Sequence, residues 1–452
     1  MNYLKMNNYN YKKDILKKIN SKKLCVSVIG LGYVGLPLSL LLSKKNRVIG
    51  IDIDKRKINY LKSHKSYIER IENKKILNFN KKNIFSNDFS KIFEADFIII
   101  CVPTPLKKNK SPDLSFIKNA VSKIKPNLKK GQTIILESTS YPGTTYDYIV
   151  KVLRKNFVVG KEIFVGFSSE RIDPGRNDNK IHRIPKVVSG YSNFCLEIIS
   201  KFYEKNFTKI FKADSLLIAE FSKLLENVYR SVNISFINEM KMIADKMGID
   251  VFKIIEAANT KPYGFRRFWP GPGIGGHCIP IDPLFLNFAA KKFGYDSKFV
   301  KLSADTNYKT VRFIEKKATS FLVENNIKFP SAKILLLGLA YKKNIDDYRE
   351  SASLELFDLL SKKKIKDIKF HDPHFKENNV PKKVNLLKKL TSKNLSKFDL
   401  VILITDHDSF DYKLINKSSK KNNRLHFKIK AHNFQIIHQH KVSIIPNKLR
   451  IV

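Results

Sequence analysis

Residues 26–41 read VSVIGLGYVGLPLSLL. A short β-branched run, VSVIG (26–30), ends on Gly30, Gly32 and Gly35 complete a G-x-G-x-x-G, and an uncharged stretch suited to a helix follows. Between a strand and a helix the three glycines have separate roles. Gly30 makes the turn, Gly32 lets a pyrophosphate approach the backbone, and Gly35 lets helix lie on strand. The phosphates then meet a helix N-terminus, where unpaired N–H groups and the helix dipole favour anions. Asp52 closes the next strand, RVIGID (47–52), about twenty residues on, where an acid holds the adenosine ribose. An acid rather than an arginine there selects NAD over NADP. Tyr33 and Val34, inside the turn, join the cofactor set.

The strand–helix alternation runs from Leu24 to about Asp214, with FIIICVP (97–103), TIILEST (133–139) and IFVGFS (163–168) as further strands. Such alternation predicts a parallel sheet covered on both faces. From about Ser215 to Lys317 the pattern is helical, and Leu216–Lys246 carries neither glycine nor proline. Strands resume with KILLLGLAY (333–341), DIKFHDP (367–373) and DLVILITDHD (399–408). The expected fold is α/β, with two Rossmann-like doubly wound domains joined by a central helical region. Its boundaries are a polar N-terminal extension (1–23), a dinucleotide-binding domain (24–214), a helical domain (215–325), a second Rossmann-like domain (326–416) and an atypical tail (417–452).

The net charge of +44 over 452 residues invites a nucleic-acid reading. The lysines are spread over every segment, however, with many Asn and Ile, and form no basic arm. The charge favours anionic ligands such as dinucleotides and nucleotide sugars, and nucleic acid is not the expected partner. Four scattered cysteines, Cys25, Cys101, Cys195 and Cys278, have neither disulfide nor zinc spacing. Reduced thiols and the lack of an apolar signal core at the N-terminus point to the cytoplasm. Leu24–Ser43 is uncharged and nearly long enough to span a membrane, but its strand–glycine–helix composition makes that the weaker reading. No metal site is expected.

The stretch PGPGIGGHCIPIDP (270–283) packs four glycines and four prolines around Cys278, a composition that predicts a tight irregular loop. Gly-Gly before a cysteine lets backbone approach a ligand and aims N–H groups at developing negative charge. Asp282, four residues later, is placed to hold a water or take a proton. A proline-rich turn with a chance cysteine is the bland alternative. CVPTP (101–105), which contains Thr104, and ESTSYPGTT (137–145) also follow strands, so both loops are expected to border the nicotinamide.

With these motifs in order the chain resembles the UDP-glucose/GDP-mannose dehydrogenase family. The resemblance runs from about Leu24 to Tyr412 through IGLGYVGLPL (29–38), ESTSYPGTT, FSSERIDPG (167–175), AEFSKLLENVYRSVNISFINE (219–239), the GGHC loop and GLAYKKNIDDYRES (338–351). It implies an NAD-binding domain, a central dimer-building helix, a UDP-binding domain, and oxidation of a sugar C6 alcohol to a carboxylate with two NAD. It implies Cys278 as the nucleophile, forming a thiohemiacetal and then a thioester. Lys223 would stabilise oxyanions, with Asn227 one helical turn on; Asp282 would activate water with Lys223, and Glu170 would assist thioester hydrolysis. Thr139 would lie near the nicotinamide, Arg349 at the cofactor side, and Asp52 with Lys57 on the ribose. Arg171, Gly275 and Lys342 join Glu170, Lys223 and Asn227 in the substrate set. Without the family context, Lys223 and Asn227 would be an ordinary polar helix face and Glu170–Arg171 a surface ion pair. His277 is read as structural or substrate-proximal rather than as a dyad partner.

KPYGFRRFWPGPGIGGHCIPIDP (261–283) resembles the branch acting on UDP-N-acetylhexosamines, most of all the UDP-N-acetylglucosamine 6-dehydrogenases that feed surface polysaccharides. UDP-N-acetylgalactosamine, UDP-N-acetylmannosamine and UDP-glucose are the alternative substrates, and a catalytically impaired nucleotide-sugar binding protein is the alternative class. Arg266 and Arg267 are candidate substrate contacts or solvated surface. Two departures stand out. Ser169 replaces a proline more usual in the family, and residues 417–452 lack its Asp-x-Arg strand while holding four of the ten histidines, His426, His432, His438 and His440. This change of composition predicts a frameshifted or replaced C-terminus, with a less stable UDP-binding domain.

Overall fold

The computed structural model describes residues 10–21, 23–68, 71–171, 181–276, 279–420, 428–429 and 434–435. The chain divides into two units, Met1–Arg230 with Ile281–Lys301 and Ser231–Pro280 with Leu302–Val452. Two long helices, Leu216–Lys246 and Lys298–Glu324, contribute residues to both.

The first unit is built on one sheet of eight strands: β1 (Cys25–Ile29), β2 (Arg47–Ile51), β3 (Ile84–Ser86), β4 (Phe97–Ile100), β5 (Thr133–Leu136), β6 (Phe164–Ser168), β7 (Lys186–Gly190) and β8 (Ile210–Lys212). Their order is β3-β2-β1-β4-β5-β6-β7-β8, parallel throughout except between β6 and β7. Val26 of β1 sits opposite Val48 on one side and Phe97 on the other. The chain's direction of winding reverses between β1 and β4, and ligands of such sheets bind beyond the strand ends at that point.

Alternate side chains go to opposite faces, and both faces are buried. Val26, Val28, Phe97 and Ile99 join one apolar cluster with Leu36, Leu38, Ile198 and Phe202. Ile29, Ile98, Ile100, Ile134 and Leu136 join another with Ile117 and Val121. The helix Gly35–Leu42 covers the first face and Ser115–Ile124 the second. Phe97 and Phe202 stack at 4.2 Å between ring centroids, and truncating a ring so buried costs about 3–5 kcal/mol. This two-sided burial explains why the strands read as continuous apolar runs. Within the segment read as a polar extension, Tyr11–Ser21 is a helix that buries Ile15 and Ile19 in the first cluster. Its Lys18 ammonium lies 2.6 Å from the Asp96 carboxylate.

Strands β3, β7 and β8 do not stand out in the sequence. Two are only three residues long, and β7 opens on a lysine that breaks its apolar pattern although it is buried.

The second unit holds β9 (Lys333–Leu337), β10 (Asp367–His371) and β11 (Leu400–Leu403), parallel in the order β10-β9-β11. Its first turn repeats that of the first unit. Gly30 N–H donates to Ile51 O at 2.7 Å and Gly338 N–H to His371 O at 2.8 Å. Both glycines have φ near +90°, where a side chain is strained. The next amide donates to an acid at the end of the second strand, Leu31 to Asp52 at 2.8 Å and Leu339 to Asp372 at 2.7 Å. Asp372 differs from Asp52 in having a histidine as partner, His407 Nε2 at 2.9 Å, with both side chains fully buried. Burial alone would raise the Asp372 carboxyl, but His407 and the neighbouring amides hold it below its ordinary value. In the tail, Lys428–Ile429 pairs antiparallel with Phe434–Gln435. His426, His432, His438 and His440 lie outside the described residues.

Candidate active site

The glycine turn of the first unit has the shape a dinucleotide needs. A Cβ on Gly30 would stand 2.7 Å from Cys101 O, and one on Gly35 would stand 1.8 Å from Gly30 O. At Gly32 a Cβ would meet nothing within 4 Å, so that side of the turn is open to a ligand. The helix Gly35–Leu42 begins at Val34 without a side-chain cap, which suits a phosphate group. Asp52 is buried, and its carboxylate is oriented by the amides of Leu31 (2.8 Å) and Asp54 (2.9 Å) and by Lys57 Nζ at 3.5 Å. The open turn at Gly30, Gly32 and Gly35 and the oriented Asp52, with Lys57 beside it, have a geometry that suits a dinucleotide. Thr104 is buried in the loop after β4, and Thr139 is half-buried in the loop after β5. Ser138 Oγ ties the two loops together, donating to Val102 O at 2.8 Å.

A second cluster of polar groups is buried in the same unit. Lys223, on the helix Leu216–Lys246, is 9% exposed and donates to the backbone oxygen of Glu170 at 2.6 Å. One turn on, Asn227 Nδ2 donates to Asp282. Asp282 opens the helix Asp282–Lys292, with a proline in its first turn, so the irregular loop gives way to helix at this residue. Burial pushes the Asp282 carboxyl up to about 6, against the opposing pull of the Lys223 charge and the Asn227 amide. A carboxyl so poised changes protonation near neutrality, as a general base requires. The cluster thus joins four of the anticipated residues, Glu170, Lys223, Asn227 and Asp282. Arg171 turns away from it, donating to Pro185 O at 2.9 Å and pairing with Glu226.

Cys25, Cys101 and Cys195 are all buried. Burial raises the thiol of Cys25 to about 11 and that of Cys101 well above its ordinary value. His277 and Cys278 lie outside the described residues.

The second unit supplies the glycine-rich loop up to Gly276. Asn238 Oδ1 accepts from Gly271 N–H at 2.8 Å, and Asn307 holds Ile274 through both its amide groups. A Cβ on Gly275 would stand 2.5 Å from Tyr341 Cβ, and Gly276, at φ +89°, lies against the Tyr341 ring. Gly276 N–H donates to Arg349 O at 3.0 Å. The glycines are therefore demanded by close approach to GLAYKKNIDDYRES. The Arg349 guanidinium forms a bidentate pair with Asp347 at 2.6–3.0 Å, and Lys342 is half-buried. Arg266 and Arg267 are exposed, Arg267 lying over the Trp269 ring at 5.0 Å.

Three buried groups escaped the sequence reading. Glu220 clamps the loop after β5, accepting from Gly143 N–H (2.6 Å), Thr145 N–H (2.8 Å) and Thr145 Oγ1 (2.7 Å). Burial raises its carboxyl to about 7, although all three of those donors oppose the rise. Glu137 and Lys186 form a buried ion pair at 2.8 Å. Glu137 and Glu220 each stand in a motif noted for other residues, and only the fold shows that they point inward.

A Rossmann sheet with an open glycine cradle, an oriented acid and a buried lysine–carboxylate cluster defines a dinucleotide-dependent oxidoreductase. Comparison with known proteins narrows the class. The UDP-glucose/GDP-mannose dehydrogenase family matches in three segments: its NAD binding domain over residues 24–207, its central domain over 218–309 and its UDP binding domain over 335–432. The chain belongs to this family, and NAD is its cofactor. It is 34% identical to the UDP-N-acetyl-D-glucosamine 6-dehydrogenase of Pseudomonas aeruginosa over 338 residues, 74% of this chain and 79% of that protein. It is also 34% identical to the UDP-N-acetyl-D-mannosamine dehydrogenase of Methanococcus vannielii, over 90% of this chain and 92% of that one. The UDP-D-ManNAc dehydrogenase structure from Pyrococcus horikoshii superposes with a TM-score of 0.81 at 28% identity, covering 93% of this chain and 98% of that one. Among the described residues no helix is long and apolar enough to cross a membrane; Leu24–Ser43 forms β1 and the helix Gly35–Leu42 instead.

Proposed function

We propose that this chain oxidises the C6 alcohol of a UDP-N-acetylhexosamine, UDP-N-acetylglucosamine first among them, to the carboxylate through Cys278. The observation that carries the reading is the buried group of Lys223, Asn227 and Asp282, with Lys223 bound to the backbone of Glu170. NAD, when bound, accepts a hydride from C6 in each of the two oxidations. The chain's own residues do the rest. The Lys223 ammonium stabilises the oxyanion at C6. The Cys278 thiolate adds to the aldehyde to give a thiohemiacetal, which keeps the aldehyde from escaping. After the second oxidation the resulting thioester is opened by water, with Asp282 and Glu170 handling its proton. Gly275, Lys342, Arg171 and Arg349 remain candidate contacts for the substrate and cofactor, and Thr139 and Thr104 for the nicotinamide side.

The choice of sugar rests on the likeness of residues 261–283 to the N-acetylglucosamine branch, and the Pseudomonas relative supports it. The mannosamine epimer is the second reading, favoured by the Methanococcus relative's longer match. Specificity constants for NADH formation with the two epimers, with UDP-N-acetylgalactosamine and with UDP-glucose separate these readings. The account expects UDP-N-acetylglucosamine to give the highest kcat/KM, and a higher value for another sugar reassigns the substrate. An impaired binding protein is not the favoured alternative.

The helix Leu216–Lys246 exposes Leu217, Phe221, Leu225, Tyr229, Phe236 and Ile243, each 45–55% accessible. Their spacing of four and seven residues forms one stripe, and an exposed apolar stripe of this length marks an interaction surface. A second copy of the chain is its proposed occupant, in a cytoplasmic homodimer or higher oligomer. Sedimentation velocity at micromolar concentration is expected to show a dimer or larger species, and a monomer there contradicts this assignment.

A further inference from the structure

Glu137 and Lys186 form an ion pair inside the core, and its outer side faces Glu170. Lys186 opens β7 with its side chain 4% exposed, and the side chain of Glu137, just after β5, is fully buried. The Lys186 ammonium lies 2.8 Å from Glu137 Oε2 and 3.7 Å from Glu170 Oε2. The Tyr203 hydroxyl donates to Glu137 Oε1, so both oxygens of that carboxylate are held. The Tyr203 and Phe207 rings flank the ammonium, each centroid 5.3 Å away.

Burying two charges costs several kcal/mol of desolvation per ion, and an apolar pair of the same volume is often as stable. A sheet core has no need of this arrangement. The other carboxylate neighbour of Lys186, the buried Glu170, is one that the proposed reaction uses. The other Glu170 oxygen accepts from Arg171 N–H at 2.6 Å, and Lys223 holds the Glu170 carbonyl at 2.6 Å. Glu170 is thus gripped from β7, from the helix Leu216–Lys246 and from its own chain.

We propose that Lys186, anchored by Glu137 and Tyr203, is a positioning residue for the hydrolytic half of the reaction, fixing the Glu170 carboxylate in the orientation that meets water. This rests on the role given to Glu170 above. In that step the water oxygen bonds to the thioester carbon and its proton passes to Glu170. The C–S bond breaks with its electron pair leaving on the Cys278 sulfur. The step involves no oxidation, so a defect confined to it leaves both hydride transfers intact.

The test compares wild type, Lys186→Met and Lys186→Met/Glu137→Gln by rapid-mixing absorbance of NADH, with NAD and the best UDP-sugar in excess. The double variant removes both ions together, avoiding the unpaired buried carboxylate that the single one leaves. The expected result is a folded double variant with a first-turnover NADH burst and a steady-state rate slowed by about 10- to 100-fold, KM for the UDP-sugar falling with it because the thioester accumulates. A steady-state rate within about twofold of wild type, or a burst and steady state falling together, would overturn the proposal. So would a double variant that does not fold, since it would assign the pair to the core alone. Wild type that forms no NADH with any of the sugars contradicts the proposed function itself, which keeps the two failures apart.

Discussion

Cys278→Ser abolishes steady-state turnover, with kcat expected to fall by roughly 10³-fold or more while NAD binding is unchanged. The separation follows from the division of labour in the chain. The cradle of Gly30, Gly32 and Gly35, with Asp52 oriented by two amides, belongs to the turn after β1, far from Cys278 in sequence. A serine hydroxyl is a far weaker nucleophile than a thiolate near neutral pH, and it forms an ester where the cysteine forms a more readily hydrolysed thioester. Titrating NAD against the variant by fluorescence or calorimetry checks the first half, and NADH absorbance checks the second. Retained turnover would remove Cys278 from the nucleophile's role.

Asp282→Asn is the second large effect. The account expects kcat to drop by about 10²- to 10³-fold and the acid limb of the pH profile to disappear. In wild type the carboxyl has been raised to about 6, chiefly by burial, with Lys223 and Asn227 opposing the rise. A base must be ionised, so kcat/KM in wild type falls as pH drops below about 6. Asparagine has no such titration, and its carbonyl can still accept from Asn227. Stability moves the other way. A folded-state value above the unfolded one means that the folded protein binds the proton more tightly between about 4 and 6. Stability therefore declines as pH rises through that window, by an amount on the order of 3 kcal/mol for a shift from 3.8 to about 6. The variant lacks that decline, and in wild type activity falls with pH where stability rises, so the acid limb cannot be blamed on unfolding. Denaturant melts across the window check the slope, and an acid limb that survives in Asp282→Asn would assign it to another group.

The two-sided sheet and the cofactor turn were legible because their causes are local. Strands buried on both faces read as apolar runs, and Gly30, at φ +90°, and Gly35, whose Cβ would strike Gly30 O, are required for reasons that act within a few residues. The helix Leu216–Lys246 was legible in full because its whole length lacks a breaker. What stayed hidden was set by partners distant in sequence. Lys186 reads as an interruption of a strand until Glu137, 49 residues away, is seen to neutralise it. Glu220 looks like one more surface acid until it meets Gly143 and Thr145, some 75 residues before it. Asn238 and Asn307 likewise gain their meaning only from the loop they hold.

The most direct test of the central claim is the number of NADH formed per UDP-N-acetylglucosamine consumed, with purified protein and NAD in excess. The account predicts about two, because covalent capture at Cys278 carries the same C6 carbon through both oxidations. A ratio of about one, with free aldehyde accumulating, would contradict it.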